Sequence, residues 1–224
     1  GGEGRGPAAR VPSRVPEQSL CSGLRWLDLS GNFLGDRGSA QVLSDVSLCP
    51  SLTALDLSGS NIKASHHFLK ALLPPEGIMA GFRTPSGRVR DGRWLRALLL
   101  DNNSLSHTAT GALLRALASD TCLSTLGLSG NGLYKPGVGK ALRECLKTND
   151  ALTDLDLHGN SLDNQAADEV LCGLAEAVSQ SLCFLRLRGN LGISQPNLRM
   201  IEAELARTRA RRLRRLYVER HPRP

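Results

Sequence analysis

Aromatic residues make up only 4% of this chain, although 41% of its 224 residues are hydrophobic. A core with so few rings favours many thin leucine layers over one central aromatic cluster. No run of about 18 apolar residues occurs, which removes a membrane-spanning helix. No cysteine pair has C-x-x-C spacing and no Cys/His group has zinc-ligand spacing, so no metal site is expected. A phosphate-cradling glycine loop, a G-x-S-x-G turn and a paired-carboxylate motif are missing too. Neither catalysis, a cofactor nor a small-molecule substrate is therefore expected.

Six cysteines are present, Cys21, Cys49, Cys122, Cys145, Cys172 and Cys183. Disulfide frameworks belong to small secreted domains, so the expectation is free, mostly buried thiols in a reducing compartment. The adjacent histidines His66 and His67 diverge by about 100° on a helix and do not make a joint ligand pair.

The formal net charge of +7 is concentrated at one end. Nine arginines and three glutamates lie from Arg199 onward, and the remainder of the chain is close to neutral. Residues 1–20 hold Gly, Pro and Arg without an apolar period and read as a flexible N-terminal arm. Residues 221–224 read as a C-terminal tail.

Between them one pattern returns. Leu24–Leu34 reads L-x-x-L-x-L-x-x-N-x-L, and copies start at Leu52, Leu95, Leu123, Leu152 and Leu182. A truncated seventh copy, LRRLYV, starts at Leu213. Small residues sit six places after the asparagine (Gly38, Ala109, Gly137, Ala166), and leucines eleven places after it (Leu43, Leu114, Leu142, Leu171). A further apolar residue follows three places on (Val46, Leu117, Cys145, Leu174), the spacing of one helix face. Each unit is therefore a short strand, a turn and a helix of about three turns.

Parallel strands stack about 4.8 Å apart, whereas helices are about 10 Å wide. Units in register must splay on the helix side, giving an α/β solenoid with strands on the concave face and helices on the convex one. Asn32, Asn103, Asn131, Asn160 and Asn190 are expected to form a buried ladder that satisfies backbone groups in the turns. The pattern resembles the ribonuclease-inhibitor-like leucine-rich repeats, a class that includes Ran GTPase-activating proteins, over residues 21–220. That resemblance implies a curved horseshoe and a scaffold for binding.

The repeat is broken in two places. Ser60 stands where the second asparagine belongs, and residues 74–93 lengthen the following connection. Their glycines and prolines preclude a helix, so a surface loop is expected, with Arg83, Arg88 and Arg90 as partner contacts. No cap is visible before Leu24. At the other end, arginines, Pro222 and Pro224 discourage further strand pairing.

Within each strand the third, fifth and seventh residues point into the concavity. The candidate partner-binding residues there are Trp26, Asp28, Asp56, Asp154, Asp156, His158, Phe184, Arg186, Arg188, Arg215 and Tyr217. This face starts small and acidic and becomes basic and aromatic, and Trp26, Phe184 and Tyr217 are the residue type that anchors interfaces. Cys145 and Cys172 fall in or beside helix core columns and read as packing residues.

The function expected is a non-enzymatic protein-interaction scaffold or a structural subunit of a larger intracellular, cytoplasmic assembly. A cytoskeletal, ciliary or organellar complex is compatible with it. The partner expected is a protein with an acidic patch. Nucleic acid is disfavoured because the RARRLRR run from Arg209 lacks interleaved stacking aromatics. The resemblance also carries two rivals. A Ran-type GTPase-activating protein would have an acidic C-terminal tail, where this chain is basic. A ribonuclease inhibitor would be acidic to suit its basic enzyme.

Overall fold

A computed structural model of the protein describes residues 23–47, 49, 51–73, 82–83, 89–90, 95–134, 136–177 and 181–220. Strands and helices alternate along it. They are β1 (Trp26–Asp28), α1 (Gly35–Val46), β2 (Ala54–Asp56) and α2 (His66–Leu72), then β3 (Phe82–Arg83), β4 (Val89–Arg90), β5 (Ala97–Leu99) and α3 (His107–Leu117). β6 (Thr125–Gly127), α4 (Pro136–Thr148), β7 (Asp154–Asp156), α5 (Asn164–Glu176), β8 (Phe184–Arg186) and α6 (Gln195–Arg220) complete the order. Six strands form one parallel sheet in the order β1-β2-β5-β6-β7-β8. Their register places each repeat leucine beside its counterpart: Leu27, Leu55, Leu98, Leu126, Leu155 and Leu185 form one row.

The leucine columns explain the stack. Leu55, Leu98, Leu126 and Leu155 from the strands are buried together with Leu43, Leu114, Leu142 and Leu174 from the helices. Cys145 is buried in the same helix column, and burial pushes its thiol up to about 12. Its packing role follows the repeat. The thiol expectation fails elsewhere: Cys49 is disulfide-bonded, and the free Cys172 is exposed. Cys172 lies one residue past Leu171 and faces outward from α5.

The insertion after the second unit is not structureless. β3 and β4 pair antiparallel within it, Phe82 opposite Arg90 and Arg83 opposite Val89. Arg83 and Arg90 thus sit on a two-stranded ribbon, while Arg88 lies outside the described residues.

The C-terminal end departs most from expectation. No seventh strand forms at Leu213; α6 continues through it as a 26-residue helix. Arg215 and Tyr217 are therefore helical and do not belong to the concave strand row. Part of the reason lies three residues before the repeat leucine. The fourth and fifth units carry a side-chain acceptor there, and the second unit, with Cys49 at that place, uses the Cys49 carbonyl. Asp120 accepts the backbone N–H groups of Cys122 and Leu123, and Asn149 those of Ala151 and Leu152, which turns the chain from helix into strand. The corresponding residue before Leu213 is Ala210, which has no such acceptor. The surrounding Arg, Ala, Leu and Glu residues are strong helix formers, so the helix runs on.

Candidate functional site

The strand face offers the candidate surface, and the ladder beneath it fixes its geometry. Asn131 donates to the carbonyls of Leu128 and Ser129 in its own repeat and of Leu100 in the preceding one. Asn160 does the same with Leu157 and Leu128, and its oxygen accepts from Asn131 and Leu133. Asn103 and Asn190 repeat the scheme. All four are buried. Each side chain therefore staples its unit to the one before it.

Asn32 departs from the expected ladder. It is exposed, and among the described residues its side chain bonds only to Ser30 of its own turn, at 3.3 Å. Among the described residues no unit precedes it, so the staple has nothing to reach. Ser60 takes the place of an asparagine at the next rung. It is fully buried, its N–H is accepted by Asn103, and its hydroxyl makes one long contact to the Leu29 carbonyl at 3.5 Å.

Above the ladder, an aspartate at the fifth repeat position accepts the N–H two residues on. Asp28 holds Ser30, Asp56 holds Ser58 and Asp156 holds His158, at 2.8–2.9 Å. The Ser30 bonds lower the Asp28 carboxyl below its ordinary value. In the fourth unit that position is Gly127, and Asp101 reaches across from the third unit to accept Ser129 N–H at 2.6 Å. A β-carbon at Gly127 would lie 2.5 Å from the Asp101 carboxylate. The missing side chain creates the space the substitute carboxylate occupies. Burial, with Asp156 and Asp56 nearby, raises the Asp101 carboxyl above its usual range despite the bonds from Ser129. Asp101 is a site residue that the sequence reading did not select. The signal was the paired exchange, glycine at one fifth position and aspartate at the preceding seventh.

The acidic and basic ends of the face meet at the last two strands. Arg186 bonds Asp154 at 2.7 Å and approaches Asp156 at 3.5 Å, so three predicted site residues form one cluster in which a single guanidinium is shared by two carboxylates. Arg188 and His158 are exposed on its flank. Trp26 is 62% exposed and Phe184 53%. Trp26 stands at the far end of the sheet from the Arg186 cluster. Phe184 carries the Arg209 guanidinium of α6 over its ring, 4.9 Å from the centroid. The same arginine donates through Nε to the Cys183 carbonyl, and Arg212 donates to the Ser181 carbonyl and contacts the Cys183 sulfur at 3.0 Å. The arginine run that the sequence assigned to a last strand instead closes part of the final strand's edge. Among the described residues no His/Cys/Asp/Glu group is arranged to hold a metal ion, and none of their helices is long and apolar enough to cross a membrane.

No family model matches the chain. It is 30% identical over 188 residues to leucine-rich repeat-containing protein 73 of Rattus norvegicus and of Homo sapiens, an alignment covering 74% of this chain. The chain spans 59% of the length of these curated relatives. In three dimensions it is similar to the tropomodulin C-terminal domain of Caenorhabditis elegans, at a TM-score of 0.50 and 12% identity, over 87% of this chain and 90% of that one. It is equally similar to leiomodin-1 actin-binding site 2, at 0.50 and 13% identity, over 88% of both chains. At such identities the likeness is one of fold.

Proposed function

This chain is a leucine-rich repeat protein, and from that premise we propose that it is a non-enzymatic binding module whose strand face receives another protein. The observation that carries this reading is the continuous outward row over six register-matched strands. It presents Trp26, Asp28, Asp56, Asp101 and the Asp154–Asp156–Arg186 cluster, then His158, Phe184 and Arg188. Consensus residues build the scaffold beneath, and side chains free of that duty face solvent. The partner's acidic patch meets the β8 end, where Arg188 is exposed, and its neutral or basic surface meets β1 to β7. Leiomodin-1 carries its actin-binding site on a similar fold, which supports protein binding as a use of this architecture without naming this chain's partner.

Residence inside the cell belongs to the same proposal. The free thiols of Cys122, Cys145, Cys172 and Cys183 support it and the Cys49 disulfide opposes it. Thiol counting on protein alkylated at the moment of cell lysis decides between them.

The binding reading is tested by co-purification with variants that leave the fold intact. The double variant Trp26→Ala/Asp28→Lys is expected to lose the wild-type partner about ten-fold or more, with an unchanged circular dichroism spectrum and a melting temperature lowered only slightly by loss of the exposed Asp28–Ser30 bond. Arg115→Glu, on the exposed side of α3, is expected to keep it. Retention by the strand-face variant and loss by the helix-face variant would overturn the reading.

A further inference from the structure

We propose that the open half of the β8 edge, from Leu185 to Gly189, receives a short extended segment of a partner protein in which apolar and acidic residues alternate. The proposal deepens the protein-binding reading above and rests on it.

The backbone pattern marks the site. In each earlier unit the sixth and eighth residues donate N–H bonds forward to the next strand: Leu29 and Gly31 to the second unit, Leu57 and Gly59 to the third, Leu128 and Gly130 to the fifth, Leu157 and Gly159 to the sixth. Their counterparts in the last unit are Leu187 and Gly189, and among the described residues neither N–H has a backbone acceptor. The second residue of each unit accepts two N–H bonds from the next, as Thr153 O does from Cys183 and Phe184. In the last unit that acceptor, Cys183 O, is taken by Arg209. One half of the edge is thus sealed by α6 and the other half is open.

Beside the open half lies a cavity of about 250 Å³, its apolar part formed by Leu185 and Leu187 with Leu198, Ile201 and Leu205 of α6. Its polar rim is formed by His158, Arg186, Arg188 and Glu202. The apolar part lies where the leucines of a further strand would sit and suits one or two aliphatic side chains. An extended segment pairing with β8 alternates its side chains between that cavity and the outer face. On the outer face it meets Arg186 and Arg188. Arg186 is already bonded to Asp154 and Asp156, which leaves the exposed Arg188 as the charge to be matched on the strand side. An acidic residue in that row is the complement. Glu202 of α6, on the cavity rim, disfavours an acid in the row that enters the cavity.

A second copy of this chain fits less well. Two β8 edges brought together would oppose arginine to arginine, which destabilises a strand pair. A whole repeat stacking through β1 needs the part of the edge that Arg209 and Arg212 hold. A single peptide strand needs only the open part.

The test uses the full chain and a fluorescent synthetic peptide with a Leu-Asp-Leu-Asp core, followed by anisotropy and by amide exchange. Saturable binding is expected, with slower exchange at Leu187 and Gly189. Arg188→Glu is expected to weaken it about ten-fold or more at an unchanged melting temperature, and Arg115→Glu to leave it intact. A peptide with a Leu-Lys-Leu-Lys core is expected not to bind. No saturable binding up to about 1 mM, equal binding of the lysine peptide, or protection centred away from Leu187 and Gly189 would each overturn the proposal. If the peptide fails while Trp26→Ala/Asp28→Lys still releases the cellular partner, only this inference falls.

Discussion

Asn160 bonds to two repeats at once, and removing its side chain takes hydrogen bonds from both. The N–H groups of Asn131 and Leu133 would lose their acceptor. The carbonyls of Leu128 and Leu157 would each lose one of two amide donors, keeping Asn131 and Asn190 respectively. Each unpaired buried group costs about 1–3 kcal/mol, partly relieved by relaxation. Asn160→Ala is therefore expected to destabilise by about 2–4 kcal/mol, read as a lower midpoint in urea unfolding. Asn32→Ala is expected to change the midpoint by less than about 0.5 kcal/mol, since Asn32 is exposed and among the described residues its side chain bonds only within its own turn. Equal effects at the two positions would contradict the staple account. The repeat motif made the asparagine column legible, but the motif is blind to what lies beside a residue. The exposure of Asn32 and the burial of Ser60 depend on the neighbouring unit, which spacing alone does not describe. Asp101 gives a pH signature at the same scale. Its carboxyl is raised in the folded protein, chiefly by burial, so the native state binds the proton more readily than the unfolded chain. Its contribution to stability falls as pH rises from the unfolded value through the raised folded one. Asp101→Asn keeps an oxygen to accept Ser129 N–H and cannot ionise. It is expected to raise the melting temperature at pH 7, with the gain over wild type vanishing below about pH 4. A gain that persists undiminished at low pH would remove ionisation as the cause.

At the scale of elements, most strands and helices followed from two periods, with leucines alternating in the strands and recurring at three- and four-residue spacing in the helices. Helix endings were harder to read. Asp120 and Asn149 end helices by accepting N–H groups from the turn, and that role is visible only once the turn is folded. Without it at Ala210, the leucines of LRRLYV fit a strand template and a helix equally well, and local propensity decided for the helix. Close packing between neighbouring helices was partly legible as small residues at fixed positions. Gly173 in α5 is the tightest such contact outside that pattern: a β-carbon there would lie 2.9 Å from the Cα and the carbonyl oxygen of Arg143 in α4. Both are backbone atoms and cannot swing aside. Although alanine favours a helix by about 1 kcal/mol over glycine, the forced separation of α4 and α5 costs about 1–3 kcal/mol. Gly173→Ala is expected to be net destabilising by about 1–2 kcal/mol in chemical denaturation. A stabilised variant would show that the helices part without penalty.

The whole molecule is a row of units in which each touches only its neighbours, so its stability is a sum of unit and seam contributions and its ends open first. That makes the seal on β8 a property of the entire array. Arg209 lies over Phe184 and holds the Cys183 carbonyl, while Arg212 holds the Ser181 carbonyl. Both are partly buried, which lowers the gain from a charged hydrogen bond toward about 1 kcal/mol each. Replacing both arginines with alanine removes the charged donors from the Cys183 and Ser181 carbonyls, the second keeping the Cys183 thiol, and uncovers an aromatic ring at the end of the sheet. The double variant Arg209→Ala/Arg212→Ala is expected to lose about 1–2 kcal/mol, with the loss graded along the row. Amides of β8 and α5 should exchange faster by the largest factor, those of β6 by less, and those of β1 and β2 scarcely at all. An exposed edge also pairs readily with other chains, so self-association should rise with protein concentration in sedimentation. Uniform acceleration of exchange across all six strands would mean that the array unfolds as one cooperative block, and α6 would then be a contributor to bulk stability instead of a terminal seal.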